Sequence, residues 1–404
     1  MATYKEQNKL NVPHLRFPKF YGEWCVSTIG EQFDLYSGNT PSRLNKEHFD
    51  GNVNWITSGE LKEHYISDTK EKISEDAATA NNLKLLHPGT FVIAIYGLEA
   101  DGVRGTGSIT CKESTISQAC MAFTQKGDVK NEFLYSWYKK HGNIIGIKYA
   151  QGTKQQNLSY DILEKFHIAY PSQDEQDKLI QFISLLDERI ATQSKLIEDL
   201  KKQKSAIIDY AINSHDTDFA KFGSLYETAG EGGTPTTSNA SFYDNGKIPF
   251  IKIDDLKKKY LTKNKDFITE LGLQKSSAWL VPTRSILFSN GATIGEITIT
   301  TYPVCTKQGI LGIVPKPNID VEFLYYFMSS SYFKKAVSRI VTEGTMKTVY
   351  LKDINNIRCP IPTKEKQLDI AKMPSALNSK IDFEQSILKL FGSQKQYLLR
   401  QMFM

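Results

Sequence analysis

The chain has 404 residues, 40% of them hydrophobic and 24% charged, with a formal charge of +5. That length exceeds one ordinary core and predicts two or three domains, while the absence of any apolar run near ~20 residues argues against a bilayer span. Five scattered cysteines (Cys25, Cys111, Cys120, Cys305, Cys359) form no CxxC pair, and seven histidines show no HxH or HxxxH pairing, which argues against a disulfide framework and against a metal site.

The N-terminal MATYKEQNKLNVPHLRF carries no apolar signal-type stretch, so the expected location is the cytoplasm, with no membrane partner. Residues up to about 171 then read as short strand-like runs broken by Gly, Pro, Asn and Asp, such as GTFVIAIYG at 89–97. Within them KNEFLYSWYKKHG predicts a helix with Phe133, Leu134, Trp137 and Tyr138 on one face. From Asp174 to about Asn213 there is no Pro or Gly. Apolar residues fall at Leu179, Ile183, Leu186, Ile190, Ile197, Leu200, Ile207 and Ala211, with Gln193 and Lys204 filling two steps. Spacings that alternate between four and three predict a coiled-coil seam, and ~40 residues make a rod of roughly 60 Å. Strand-like runs resume, with RSILFSNGATIGEITI at 284–299, and a second aromatic helix puts Phe323, Leu324, Phe327 and Met328 on one face. A second seam follows at Ile370, Leu377, Ile381, Leu388, Phe391, Leu398 and Met402, with Glu384 and Lys395 at its polar steps. Pro374 stands where the first helix has Ile183 and predicts a break there, and Gly392 weakens the helix further.

These elements occur twice in the same order. GNTP (38–41) answers GGTP (232–235), GELK ending at Lys62 answers DDLK ending at Lys257, and EFLYSW from Glu132 answers EFLYYF from Glu322. SQAC (117–120) answers KQGI (307–310), and the EQ at 175–176 answers the KQ at 366–367. The offset stays between about 190 and 195, which chance does not sustain, so the chain is two copies of one unit. The predicted fold is α+β: two mixed, β-rich globular domains joined by two long helices. Packed on each other, those helices run antiparallel as a coiled coil, because an apolar seam cannot stay in water. The domains are expected at 1–171 and 216–362, with spacer helices at 172–215 and 363–404.

The doubled order has a globular segment with GATIGEI and KQG, then GT and a DI element, then a proline and EQ or KQ opening a long helix. This arrangement resembles the specificity subunit of type I restriction–modification systems over essentially the whole chain. Small departures are Ser117, where an Asn commonly precedes Gln-Ala, Lys366 for the usual Glu, and Pro374. The resemblance implies a non-catalytic chain whose two target recognition domains each read half of a bipartite site in double-stranded DNA. It implies that two methyltransferase (M) subunits dock on the helical spacer, and that restriction/translocase (R) subunits join through the M–S complex. S-adenosylmethionine, ATP and Mg²⁺ would belong to those partners, leaving this chain with no cofactor of its own. Partner docking is assigned to the spacer seam, at Leu179, Ile183, Leu186, Ile190, Ile197, Leu200, Leu377, Ile381, Leu388 and Leu398.

Candidate DNA contacts come from local clusters. Lys257, Lys258 and Lys259, with Lys252 before them and Lys263 and Lys265 after, form either a phosphate-neutralising stretch or a solvated charged face. Lys154 and Gln155, and Lys347 and Thr348, follow the paired GT turns, where they are placed to reach bases or phosphates. Arg104 and Asn290 sit in the glycine-rich segments DGVRGTGS and SNGATIGE, neither of which is a phosphate-cradling motif. Ser58, Glu60 and Lys62 complete the set. Asp50, Glu60 and Lys62, matched by Asp244, Asp255 and Lys257, also raise the alternative of a metal-dependent nuclease. Against that, Glu60 follows the turn-like Thr57-Ser58-Gly59 instead of sitting on an apolar strand. No nucleophile motif and no Pro-Pro dipeptide of a methyltransferase occurs. A coiled-coil adaptor with no DNA role is the other alternative. The first unit is slightly acidic and the second basic, which predicts unequal shares in any DNA affinity.

Overall fold

The computed structural model describes residues 11–100, 102–152, 156–213, 218–291, 293–341 and 347–404. The chain divides into two compact units, residues 1–193 with 387–404 and residues 194–386. Each unit holds one globular body, one half of the first long helix (Gln173–Asn213) and one part of the second (Lys364–Met402).

In the first unit the strands are β1 (Cys25–Thr28), β2 (Phe33–Ser37), β3 (Val53–Ile56), β4 (Tyr65–Ile66), β5 (Lys72–Ile73), β6 (Phe91–Ala94), β7 (Gly107–Thr110), β8 (Ser114–Ile116), β9 (Cys120–Gln125) and β10 (His167–Tyr170). They make a five-stranded sheet of order β2-β9-β6-β7-β4, a three-stranded sheet β5-β3-β8 and the pair β1-β10. In the second unit they are β11 (Phe219–Lys221), β12 (Tyr226–Glu231), β13 (Ile248–Ile251), β14 (Tyr260–Leu261), β15 (Asp266–Ile268), β16 (Ile286–Ser289), β17 (Ile297–Thr300), β18 (Cys305–Thr306), β19 (Ile310–Pro315) and β20 (Arg358–Pro360). Their sheets are β12-β19-β16-β17-β14, β15-β13-β18 and β11-β20. Each strand of one unit thus has its counterpart ten strands later. Even the parallel pairs recur: β4 with β7 and β3 with β8, then β14 with β17 and β13 with β18. The predicted duplication holds strand by strand.

The aromatic helices form the expected cores. Phe133, Leu134, Trp137 and Tyr138 are buried in the helix Asn131–Tyr149, and Phe323, Leu324, Phe327 and Met328 in Val321–Ser329. Burial is wider than one face, since Tyr135, Ser136, Tyr325 and Tyr326 are buried too. These side chains face the sheet on one side and the long helices on the other. The first body's core takes in Leu179 and Ile183 from the first long helix and Leu399 and Met402 from the second, with Phe403 just after it. The second body's core takes in Ile208 and Ile212 from the first long helix and Ala371 from the second.

Two expectations about the helices are corrected. The second helix does not break at Pro374: it is continuous from Lys364 to Met402, through Gly392 as well. A proline inside a helix costs about 3 kcal/mol. Pro374 is itself buried, however, and the next residue, Ser375, donates to Glu322 at 2.8 Å and takes a bond from Lys259 at 2.9 Å. Those contacts hold the turn that the proline would open. The seam also changes register toward each C-terminus. Ile207 and Ala211 are only half-buried, whereas Ile208 and Ile212 are buried; in the second helix Met402 is buried as expected, but beside half-buried Leu398 it is Leu399 that is buried, as is Phe403 just past the helix. Beyond Lys204 and Lys395 the buried step is four and four, because the helix leaves its partner there and enters a globular core whose apolar stripe drifts around the axis.

Within the first unit the helices run antiparallel: Lys395 pairs with Asp187, and Arg189 lies 4.4 Å over the Phe391 ring. Within the second, the Lys204 ammonium donates to the Asn378 amide oxygen at 3.0 Å. Of the remaining seam positions, Ile197, Leu200 and Ile381 are buried, and Leu186, Ile190, Leu377 and Leu388 are half-buried.

Candidate nucleic-acid interface

Glu60 is committed to backbone. Its carboxylate accepts from the Thr57 amide (2.9 Å), the Thr57 hydroxyl (2.8 Å) and the Lys70 amide (2.7 Å), closing a capping box on the short helix Ser58–Glu60. Asp255 repeats this, taking the Lys252 amide at 2.9 Å at the start of Ile253–Lys257. The acid-x-Lys element that suggested a nuclease is therefore a duplicated helix start. Ser58 is half-buried beside it, and Lys62 is exposed.

The lysine stretch separates into three environments. Lys257 is exposed and pairs with Asp254 at 2.9 Å, and Lys258 is exposed with no ion pair among the described residues. Lys259 departs from the expectation of a phosphate-facing cation. Its side chain is only 3% exposed, and its ammonium meets Glu322 at 2.7 Å. It also lies 4.8 Å over each of the Tyr260 and Tyr326 rings. Burial with an acid and two aromatic faces satisfies that charge inside the protein. Lys252 is half-exposed and pairs with Asp266 at 2.8 Å.

Asn290 is also inward. It is buried, and its amide donates to the Val349 carbonyl at 3.1 Å, tying the segment around Thr348 to strand β16. Thr348 is half-buried and Lys347 exposed. Arg104 is half-buried, and its guanidinium donates to Gln156 at 2.8 Å while its stem fills the space a side chain at Gly146 would need. Lys154 and Gln155 lie outside the described residues. The structure thus leaves Lys62, Lys252, Lys257, Lys258 and Lys347 as the solvent-facing members of the set among the described residues. It turns Lys259 and Asn290 inward, where Glu322 and the Val349 carbonyl take up their polar groups.

One constellation was missed. His64, at the position of Lys259, is stacked between Tyr65 and Tyr135 at 4.1 and 3.9 Å, with its ring nitrogens toward Glu132 (2.8 Å) and Asp187 (3.6 Å). Asp187 in turn pairs with Lys395. Burial alone would lower the imidazole's pKa, but Asp187 and Glu132 together raise it. Asp187 is held below the usual carboxylate range because His64 and Lys395 outweigh its burial. In both units a basic side chain packed on tyrosines therefore meets the glutamate that opens EFLY (Glu132 or Glu322) and touches a long helix. The signal was present in the acid that begins both aromatic stretches.

The EQ/KQ pair has a similar role. Gln176 is buried, takes the Lys130 amide at 2.9 Å and donates to the Asp128 and Pro171 carbonyls at 3.1 and 3.0 Å. Gln367 repeats all three bonds, with the Asp320 amide (2.7 Å), the Asn318 carbonyl (3.2 Å) and the Pro362 carbonyl (2.9 Å). Glu175 before it is buried against Arg16 in a bidentate pair at 2.8 and 2.7 Å, whereas Lys366 is exposed. No described helix is long and apolar enough to cross a membrane.

Comparison with known proteins agrees with this architecture. The family described as "Type I restriction modification DNA specificity domain" matches residues 21–202 and again 216–390. The chain is 24% identical over 366 residues to the MjaIX specificity subunit of Methanocaldococcus jannaschii, covering 84% of this chain and 83% of that protein. It is also 24% identical over 256 residues to the EcoR124I/EcoR124II specificity subunit of Escherichia coli, covering 60% and 62%. The crystal structure of the S subunit from M. genitalium shares the fold with a TM-score of 0.55 at 18% identity, over 97% of this chain and 99% of that one. A chain from a study of type I R-M complex assembly matches with a TM-score of 0.60 at 14% identity, over 93% and 96%. The chain belongs to the type I restriction–modification specificity family, as a non-catalytic DNA-recognition subunit with two target recognition domains.

Proposed function

We propose that the chain selects the DNA site for a type I restriction–modification complex, each recognition domain reading one half of a bipartite duplex target. The two spacer helices set the gap between half-sites and dock two methyltransferase subunits, through which restriction/translocase subunits join. S-adenosylmethionine, ATP and Mg²⁺ are then used by those partners, in the cytoplasm. The observation that carries this reading is the strand-for-strand duplication combined with side chains that differ at corresponding surface positions. A shared scaffold with different surfaces is what reading two different half-sites requires. Outward apolar residues support docking on the spacer: Phe383, Leu390 and Tyr397 recur every seven residues on the second helix and are about 60% exposed.

Mapping methylated positions in a genome that carries this chain with its methyltransferase should return two half-sites at a fixed gap. Inserting seven residues into both helices, near Gln193 and near Glu384, adds about 10 Å of rod and should lengthen the gap by roughly three base pairs. An unchanged gap sinks the ruler. Cleavage of DNA by the isolated chain with Mg²⁺, abolished by Glu60→Ala, would favour a nuclease. Failure of the assembled complex to modify any specific sequence would favour a coiled-coil adaptor.

A further inference from the structure

In the second unit a crease of about 560 Å³ lies between the globular body and the spacer helices. Six lysines line it: Lys201 and Lys204 from the first spacer helix, Lys257, Lys258 and Lys259 just before β14, and Lys334 from the helix Ser331–Ile340. Only two carboxylates line it with them, Glu296 and Asp382. Two of the lysines are neutralised elsewhere, Lys259 by Glu322 and Lys257 by Asp254. Lys204 meets only the neutral amide of Asn378. Lys201, Lys258 and Lys334 are exposed and make no ion pair among the described residues. Four ammonium groups from three segments therefore share one concavity with only Glu296 and Asp382 beside them, and none makes an ion pair among the described residues. Burial lowers the pKa of Lys204, and Lys334, Lys201 and Lys259 lower it further while Asp382 opposes them.

The corresponding positions of the first unit carry a different charge pattern. Counting along the paired motifs, Lys201 corresponds to Gly392, Lys258 to Glu63, Lys334 to Ile144 and Asn378 to Asp187. Lys204 corresponds to Lys395, which Asp187 neutralises. The first unit does have Lys139 where the second has Ser329, but Lys139 is half-buried and its pKa is lowered to about 8 by that desolvation and by Lys395. The excess cation is thus particular to the second copy and is not required by the shared scaffold.

We propose that this crease seats a phosphate of the DNA backbone, gripped by Lys201 and Lys204 from the spacer and by Lys258 and Lys334 from the recognition domain. The inference rests on the DNA-reading function above and adds that the spacer helix itself contacts DNA, on one side of the duplicated chain only. Three or four ammoniums around one concavity match a phosphodiester's diffuse charge, and with two carboxylates against them and no ion pair among the described residues they stay available for it.

The test uses the chain assembled with its methyltransferase, comparing wild type with K201Q/K258Q/K334Q, all at exposed positions. Duplexes carrying the mapped target and a scrambled sequence are titrated across a salt series. The variant should show a slope of log affinity against log salt flatter by about 2 to 3. Its affinity near 0.15 M salt should fall about ten- to hundredfold, by the same factor on both duplexes. An unchanged slope, or a loss confined to the target duplex, overturns the proposal. So does saturable binding of inorganic phosphate that the variant loses while its DNA slope stays at the wild-type value, since the crease would then serve a free anion. Failure of the DNA-reading function itself appears earlier and separately, as a wild-type complex that does not discriminate target from scrambled duplex.

Discussion

The two units share every strand and every sheet order, yet they hold their spacer helices with different chemistry. In the first, a histidine between two tyrosines bridges Glu132 and Asp187, and Asp187 continues to Lys395. In the second, a lysine occupies the same seat and meets Glu322 and Ser375, while the inter-helix pair is reduced to Lys204 and an amide. Duplication preserved the geometry of the joint, and divergence altered its charge. The first joint pairs its basic groups with acids and includes an imidazole, whereas the second leaves Lys204 facing an amide, with Lys201, Lys258 and Lys334 making no ion pair among the described residues.

The sharpest way to break this comparison is Lys259→Met, which strands Glu322 beside the spacer. Removing one partner of a buried pair costs about 3–5 kcal/mol. Denaturant unfolding should show that loss, whereas His64→Met should lose less, because Asp187 keeps Lys395. Equal losses would mean that the two joints are energetically alike. Next come Gln176→Ala and Gln367→Ala, each orphaning one buried amide and two carbonyls at about 1–3 kcal/mol. Their matched bonds predict matched losses, and a difference above about 1 kcal/mol would show that the units are not equivalent at the helix entry.

Smaller still, Glu60→Ala should cost about 1–2 kcal/mol and Asp255→Ala less, in proportion to the three and one hydrogen bonds seen. Both should leave modification activity intact in a thermally stable background. The last effect concerns pH. The folded pKa of His64 is raised, so its contribution is complete below the unfolded value near 6.5 and fades as pH rises through the folded value. Melting curves of the assembled chain from pH 6 to 8 should show the loss in wild type and not in His64→Lys, which copies the second unit. A pH dependence unchanged in that variant would remove His64 from the account.

Much of the architecture was legible in the order of residues. Repeated motifs such as EFLY and the EQ/KQ pair give the duplication, and apolar spacing gives the two long helices, because periodicity follows directly from backbone geometry. The opposite fates of neighbouring lysines were not legible. Lys257, Lys258 and Lys259 are the same residue three times in a row, and only packing decides that the third is buried against Glu322. Likewise Pro374 reads as a break in isolation, but its neighbours' contacts keep the helix whole. The sequence by itself determined the repeat, the helical spacer and the family. The tertiary structure alone decided which charges are spent inside and which face solvent, because that depends on what the fold brings within a few ångströms, from 63 positions away for Lys259 and Glu322 to 208 for Asp187 and Lys395.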